Sequence, residues 1–315
     1  MMEYSPGKFM GFRRISNNDG IFQMLALDQR QSLFKLLKEY GLDRKKQEDA
    51  IKKIKKTILK TLSQYASAVL VDGEYAFPDF LSYIHPNTGI ILSIEKSGYT
   101  EVADGRVNEL FREDAIELAK KWGCDAIKLL IYWNDDADEK IKNAQKKFVK
   151  KVGGQAKDLD LLFILEIVTY GVSKGQKKAI LSAIKNFSSE GYGVDLFKIE
   201  PFIESVNASE VFEASLGKPW VVLSGGVEIN RFLPILENNV LSGASGFLVG
   251  RVVWKNIIKY FNNEEKMEFY LKNTGLNYLS WLKEKSKYSL PWYMTPYFGG
   301  YEQINIRRSF KNVVE

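Results

Sequence analysis

The 315-residue chain holds one histidine, His85, and one cysteine, Cys124. Catalytic zinc is commonly held by three histidines or by a Cys/His set. Neither can be assembled from one residue of each kind, so a metal-dependent reaction of that type is disfavoured and no cofactor is expected. The single cysteine also excludes an intramolecular disulfide framework and fits a reducing, cytoplasmic compartment. No apolar run approaches the roughly 20 residues that span a bilayer. The opening MMEYSPGKFMGFRRISNNDG lacks the charged-then-apolar order of a secretion signal. No GxGxxG opens a helix after the first strand, and no P-loop signature is present. His85 lies in the turn sequence YIHPNTG and is expected on a surface loop.

Charge of one sign is also scarce as a block. The net charge is +6, from 45 basic and 39 acidic residues, but opposite signs alternate in runs such as KKQEDAIKKIKK (45–56). That pattern marks a solvated helix face and not a nucleic-acid stripe, so neither nucleic acid nor membrane is an expected partner. A mild positive field still favours an anionic, phosphorylated small molecule.

Short apolar runs are plentiful. FQMLAL (22–27), SAVLVD (67–72), GIILSIE (89–95), DAIKLLIY (125–132), LLFILEIV (161–168), DLFKIE (195–200), PWVVLS (219–224) and GFLVG (246–250) recur along the chain. Near-continuous apolarity of this kind belongs to strands buried on both faces of a parallel sheet. Charge-rich helical patterns lie between them, at 47–66, 113–123, 138–153 and 177–191, several ending in Gly after a basic turn. Eight strands alternating with helices predict an α/β fold, a (β/α)₈ TIM barrel; a doubly wound open sheet is the alternative. No linker divides the chain, so residues 1–315 are expected as one domain. The aromatic stretch from about 289 is read as a C-terminal extension or an oligomer contact, which leaves a homo-oligomer open.

In such a barrel the chemistry sits at the C-terminal ends of the strands. Asp28, Gln29 and Arg30 end the first run, Lys128 lies in the fourth, Glu166 in the fifth, and Lys198 and Glu200 in the sixth. A lysine inside an apolar strand is costly unless it is paired or functional. Either lysine alone is as well explained by an ion pair or a snorkelling side chain. Two lysines and two acids on adjacent strands are better explained by chemistry: burial and a neighbouring cation favour the neutral amine that attacks a carbonyl. Lys128 is thus placed to depress the pKa of Lys198 while Glu166 shuttles protons. Ser224, Gly225 and Gly226 follow the seventh strand, and Gly250 and Arg251 the eighth. Loops after the last two strands are the common phosphate site of this fold, and Arg251 adds a charged donor.

These segments resemble a known family, the class I tagatose-1,6-bisphosphate aldolases and the related 6-deoxy-6-sulfofructose-1-phosphate aldolases. The resemblance runs from about Phe22 to Trp254 and is carried by MLALDQR (24–30), IEKSGYT (94–100), CDAIKLLIYW (124–133), FILEIVTY (163–170), GVDLFKIE (193–200), VVLSGGV (221–227) and GASGFLVGRVVW (243–254). It implies that Lys198 is the Schiff-base lysine and that Lys128 and Glu166 are its active-site partners. It implies further that Asp28, Gln29 and Arg30 line the substrate pocket, and that Ser224, Gly225, Gly250 and Arg251 bind phosphate. The short stretch at 170–192 is closer to the sulfosugar branch, whereas EKSGY, DGEYA and SLPW are closer to the tagatose branch. The implied activity is cleavage of a ketose (bis)phosphate to dihydroxyacetone phosphate and an aldehyde, with sulfofructose phosphate as the alternative substrate. A non-catalytic sugar-phosphate-binding regulator is the alternative of another class; it would retain the phosphate turns and lose Lys198 or Glu166, and both are present.

Overall fold

Each of the eight apolar runs forms a strand, β4 and β5 reaching one residue past their runs: β1 Phe22–Ala26, β2 Ala68–Asp72, β3 Gly89–Ser93, β4 Ala126–Trp133, β5 Leu162–Thr169, β6 Leu196–Ile199, β7 Trp220–Val222 and β8 Gly246–Val249. All pair in parallel and in chain order, and β8 closes onto β1, with Leu248 opposite Met24. The computed structural model describes residues 3–102, 105–173 and 175–306.

The strands read as unbroken apolar runs because both faces are covered. Side chains alternate across each strand. Leu25, Val69, Leu129, Leu165 and Phe197 join an outer core beneath the helices. Met24, Leu70, Ile91, Ile164, Leu196 and Leu248 point the other way and fill the barrel's interior.

The α-helices among the described residues are α1 Pro6–Ile15, α2 Gln31–Lys38, α3 Arg44–Leu62, α4 Ala115–Lys121, α5 Glu139–Asp158, α6 Gln176–Phe187, α7 Ala208–Ser215, α8 Ile229–Leu241, the short α9 Arg251–Trp254, α10 Glu264–Tyr270 and α11 Leu276–Lys285. Asp43 starts α3 by accepting from the Lys46 amide at 2.9 Å, a cap that satisfies one of the helix's orphan donors. Two connections depart from the sequence pattern. A single 3₁₀ turn at Leu81–Tyr83 replaces a helix between β2 and β3. The helix expected to stop at Gly153 runs on to Asp158 as α5. Gly153 serves close approach instead, since a Cβ there would lie 1.8 Å from the Tyr192 carbonyl oxygen.

α1 and residues 290–306 cover the N-terminal end of the barrel. Phe12 stacks on Trp292 at 4.8 Å and meets Phe298 edge-on, directly under Phe22 and Met24. The strand Glu3–Tyr4 pairs in parallel with Asn305–Ile306. Buried Asp195 accepts from the Tyr4 hydroxyl at 2.7 Å and the Phe163 amide at 2.8 Å, and it forms a 2.7 Å ion pair with Lys8. With that end covered, the barrel's interior is approached from the opposite end. His85, exposed in the loop that enters β3, is at the covered end. Among the described residues no helix is long and apolar enough to cross a membrane.

Candidate active site

The inward-facing row of each strand changes character part-way up. Leu162 and Ile164 are followed on the same face by Glu166, Leu196 by Lys198, Ala126 by Lys128, and Ile91 by Ser93 and then Glu95. An apolar floor therefore carries a layer of charge. Glu166 and Lys198 are register partners across β5 and β6.

Lys128 is the centre of that layer. Its side chain is fully buried, and Nζ lies 2.7 Å from Asp28 Oδ2, 2.5 Å from Glu95 Oε1 and 3.0 Å from Glu166 Oε2. Burial works against the ammonium, but Asp28, Glu166 and Glu95 outweigh it and hold Lys128 well above the ordinary lysine range. Burial likewise opposes the Asp28 carboxylate, yet Lys128 and then Lys198 hold it well below the usual range. Lys128 is thus more than a cation set beside Lys198: three carboxylates gather around its charge. Lys198 Nζ reaches the same Glu166 Oε2 at 2.9 Å.

Glu95 is the member that the motif reading does not single out. It is buried, accepts from the Ser93 hydroxyl at 2.7 Å and the Leu130 amide at 3.1 Å, and its carbonyl accepts from Arg30 Nη2 at 2.6 Å. Its signal is the period of two, because Ile91, Ser93 and Glu95 share one face of β3 and its extension.

Two adjoining cavities of about 330 and 340 Å³ open above this layer, within the range of small-molecule sites. Gln29, Leu130, Tyr132, Glu166, Lys198 and Arg251 line both. The inner one reaches Ser224, Gly225, Gly226 and Gly250. Gly225 and Gly226 have φ of +60° and +85°, a left-handed pair that residues with a Cβ rarely adopt. Arg251 Nη2 donates to the Gly225 carbonyl at 3.3 Å and ties the two turns together. The outer cavity reaches Asp28, Arg30, Lys35, Lys96 and Tyr99. Arg30 lines it while ion-paired to Glu74, and its Nε and the Gln29 Oε1 are buried without a hydrogen-bond partner among the described residues. Glu200, just past β6, instead accepts from the Thr169 amide and hydroxyl at 2.8 and 2.6 Å.

The site residues named from the sequence therefore gather at the open end: all but Lys128 line one or both cavities, and Lys128 lies buried beneath them. Residues 22–256 match the model of the DeoC/LacD family aldolase, nearly the whole barrel. The chain belongs to that family. It is 28% identical to the tagatose 1,6-diphosphate aldolase of Listeria monocytogenes, with 97% of this chain and 99% of that protein covered. It is 31% identical to tagatose 1,6-diphosphate aldolase 2 of Enterococcus faecalis, covering 83% and 87%. The barrel is also similar to the fructose-bisphosphate aldolase of Plasmodium falciparum, at a TM-score of 0.68 and 12% identity over 92% of this chain and 97% of that one. A Schiff-base-forming fructose-1,6-bisphosphate aldolase superposes at a TM-score of 0.57 and 18% identity, covering 82% and 98%. This aldolase thus shares its fold with aldolases far removed in sequence.

Proposed function

We propose that the chain is a class I aldolase acting on a ketose 1,6-bisphosphate such as tagatose 1,6-bisphosphate, with Lys198 as the nucleophile. The observation that carries this reading is the 2.9 Å pair of Lys198 Nζ and Glu166 at the junction of the two cavities. An amine within ion-pair distance of a carboxylate, where a substrate must pass, supports covalent catalysis, which needs a nucleophile within reach of a base.

Lys198 gives a proton to Glu166 and attacks the C2 carbonyl; water leaves, and an iminium remains. A base takes the C4 hydroxyl proton, the C3–C4 bond breaks, and its electrons flow into the iminium to give an enamine while the aldehyde departs. Protonation of C3 and hydrolysis then release dihydroxyacetone phosphate and restore the lysine. Glu166 serves the proton transfers at nitrogen, and Asp28 or Lys128, an ion pair at 2.7 Å, orients or deprotonates the C4 hydroxyl. Ser224, the Gly225–Gly226 turn and Arg251 hold the C1 phosphate, which fixes the carbonyl beside Lys198. Gln29 and Arg30 meet the rest of the sugar.

Borohydride trapping with dihydroxyacetone phosphate, followed by peptide mapping, tests this directly. The adduct is expected on Lys198, and Lys198→Met is expected to abolish turnover; an adduct on another lysine refutes the assignment. Comparing kcat/KM for tagatose 1,6-bisphosphate and sulfofructose 1-phosphate identifies the distal anion.

A further inference from the structure

Between β3 and α4 the chain does not run straight to the helix. It rises through Glu95–Tyr99, folds back as an antiparallel hairpin of Thr100–Val102 on Gly105–Val107, and descends to Leu110, which bridges to Glu95. The Lys96 amide donates to the Glu109 carbonyl at 2.7 Å and the Phe111 amide to the Ile94 carbonyl at 3.0 Å, so the two legs are tied at the root. The rising leg lines the outer cavity through Lys96, Ser97, Gly98 and Tyr99.

Arg106 occupies the descending arm of the hairpin. Its guanidinium carbon lies 4.3 Å from the ring centre of Tyr99, 4.5 Å from that of Tyr170 and 5.5 Å from that of Tyr132. The rings come from three places at the open end: the leg that leads into the hairpin, the end of β4, and the residue after β5. Tyr99 and Tyr132 also meet edge-to-face at 4.8 Å.

Main-chain bonds hold the same joint. The Arg106 amide donates to the Tyr170 hydroxyl at 3.1 Å. Buried Gln145 on α5 donates to the carbonyls of Arg106 at 3.0 Å and Tyr132 at 3.3 Å, and to Asn108 Oδ1 at 3.1 Å. That Asn108 oxygen accepts from the Tyr132 amide at 3.2 Å. A Cβ at Gly105 would lie 2.8 Å from the Tyr170 hydroxyl, so the hairpin seats this closely only with glycine there.

A two-stranded hairpin is marginal by itself, and its position depends on what grips it. Here the grip is a cation among three aromatic faces, an attraction that strengthens as water is excluded. Two of those rings are walls of the substrate space: Tyr99 lines the outer cavity and Tyr132 lines both.

We propose that Arg106 is a positioning residue for the aldehyde half of the substrate, fixing Tyr99 and Tyr132 as the wall beside the carbons beyond the cleaved bond. This rests on Lys198 being the nucleophile, which puts the dihydroxyacetone phosphate half toward Ser224 and the remainder in the outer cavity. Arg106 touches no reacting atom and acts through the two tyrosines.

The test separates the two halves of the substrate. Arg106→Met keeps the side chain's length and removes its charge. Cleavage of tagatose 1,6-bisphosphate is measured beside borohydride trapping of dihydroxyacetone phosphate, which needs the inner half alone. In Arg106→Met the KM for the bisphosphate is expected to rise about tenfold, with kcat within about threefold of wild type. Trapping at Lys198 is expected to be unchanged, and Arg106→Lys to recover most of the KM. A KM within about twofold of wild type, or a loss of trapping as large as the loss of cleavage, overturns the proposal. If Arg106→Met does not fold, Tyr99→Leu is read by the same two measurements and the same two outcomes. A wild-type protein that is not trapped at all overturns the aldolase reading itself, and this proposal with it.

Discussion

Lys198 and Lys128 share one oxygen: Oε2 of Glu166 lies 2.9 Å from the first amine and 3.0 Å from the second. The two nitrogens do not have equivalent surroundings. Lys128 has Asp28 and Glu95 besides, whereas Lys198 has only Glu166 among the described ion pairs. Under the proposed mechanism, proton exchange between Glu166 and Lys198 meets no competition from Lys128, which its three carboxylates hold as an ammonium. On the proposed assignment, that asymmetry makes Lys198 the reacting group and Lys128 its anchor.

Glu95→Gln tests the anchor. The substitution keeps the shape and removes one of the three negative charges around Lys128. It is expected to lower stability by about 1–3 kcal/mol, the cost of weakening a buried charge-assisted contact. Displacement of Lys128, and with it Glu166, is expected to reduce kcat by about 10- to 100-fold. Urea unfolding and steady-state kinetics read the two effects; unchanged kcat in a destabilised variant would limit Glu95 to a structural role.

Asp28→Asn gives a pH dependence of known sign. The folded-state pKa of Asp28 is depressed, with Lys128 the largest of the lowering influences. A carboxylate of that kind stabilises the fold above its unfolded value, near ~3.9, and the contribution is lost as pH falls toward the folded value. Wild type is expected to exceed Asp28→Asn by about 1–3 kcal/mol at neutral pH, with the gap narrowing steadily below about pH 4. Urea midpoints measured between pH 7 and pH 3 check this; a gap independent of pH contradicts it.

Trp292→Ala addresses the covered end. Trp292 is buried against Phe12 and Phe298, so its removal is expected to cost about 3–5 kcal/mol. Because that cluster lies under the floor of the barrel, KM for the ketose bisphosphate is expected to remain at the wild-type value at temperatures where the variant is folded. A raised KM under those conditions would show that the plug and the open end are coupled.

The eight strands were legible because double-sided burial leaves an uninterrupted apolar run. Lys128, Glu166 and Lys198 stood out as charges inside such runs. Glu95 did not, because it lies where GIILS gives way to a polar loop, and its partner Lys128 is 33 residues along the chain. Arg106 was invisible for a related reason: its rings, Tyr99, Tyr132 and Tyr170, become neighbours only once three loops are assembled at one end of the barrel. Gly153 misled because a glycine after basic residues commonly ends a helix, and here it admits the Tyr192 backbone instead. Local signals located the strands and the costly charges, while contacts made across loops left no local mark.

The hydrocarbon beneath the charges has a consequence of its own. Ile164 and Leu196 occupy the positions immediately below Glu166 and Lys198 on the same strand faces, fully buried in the inner core. On the proposed assignment, the height of the Lys198 nitrogen is expected to depend on the bulk of this support, since protein interiors are close-packed. Trimming Leu196 would let it sink and enlarging Ile164 would lift its partner, so turnover can be tuned from underneath by residues that never meet the sugar.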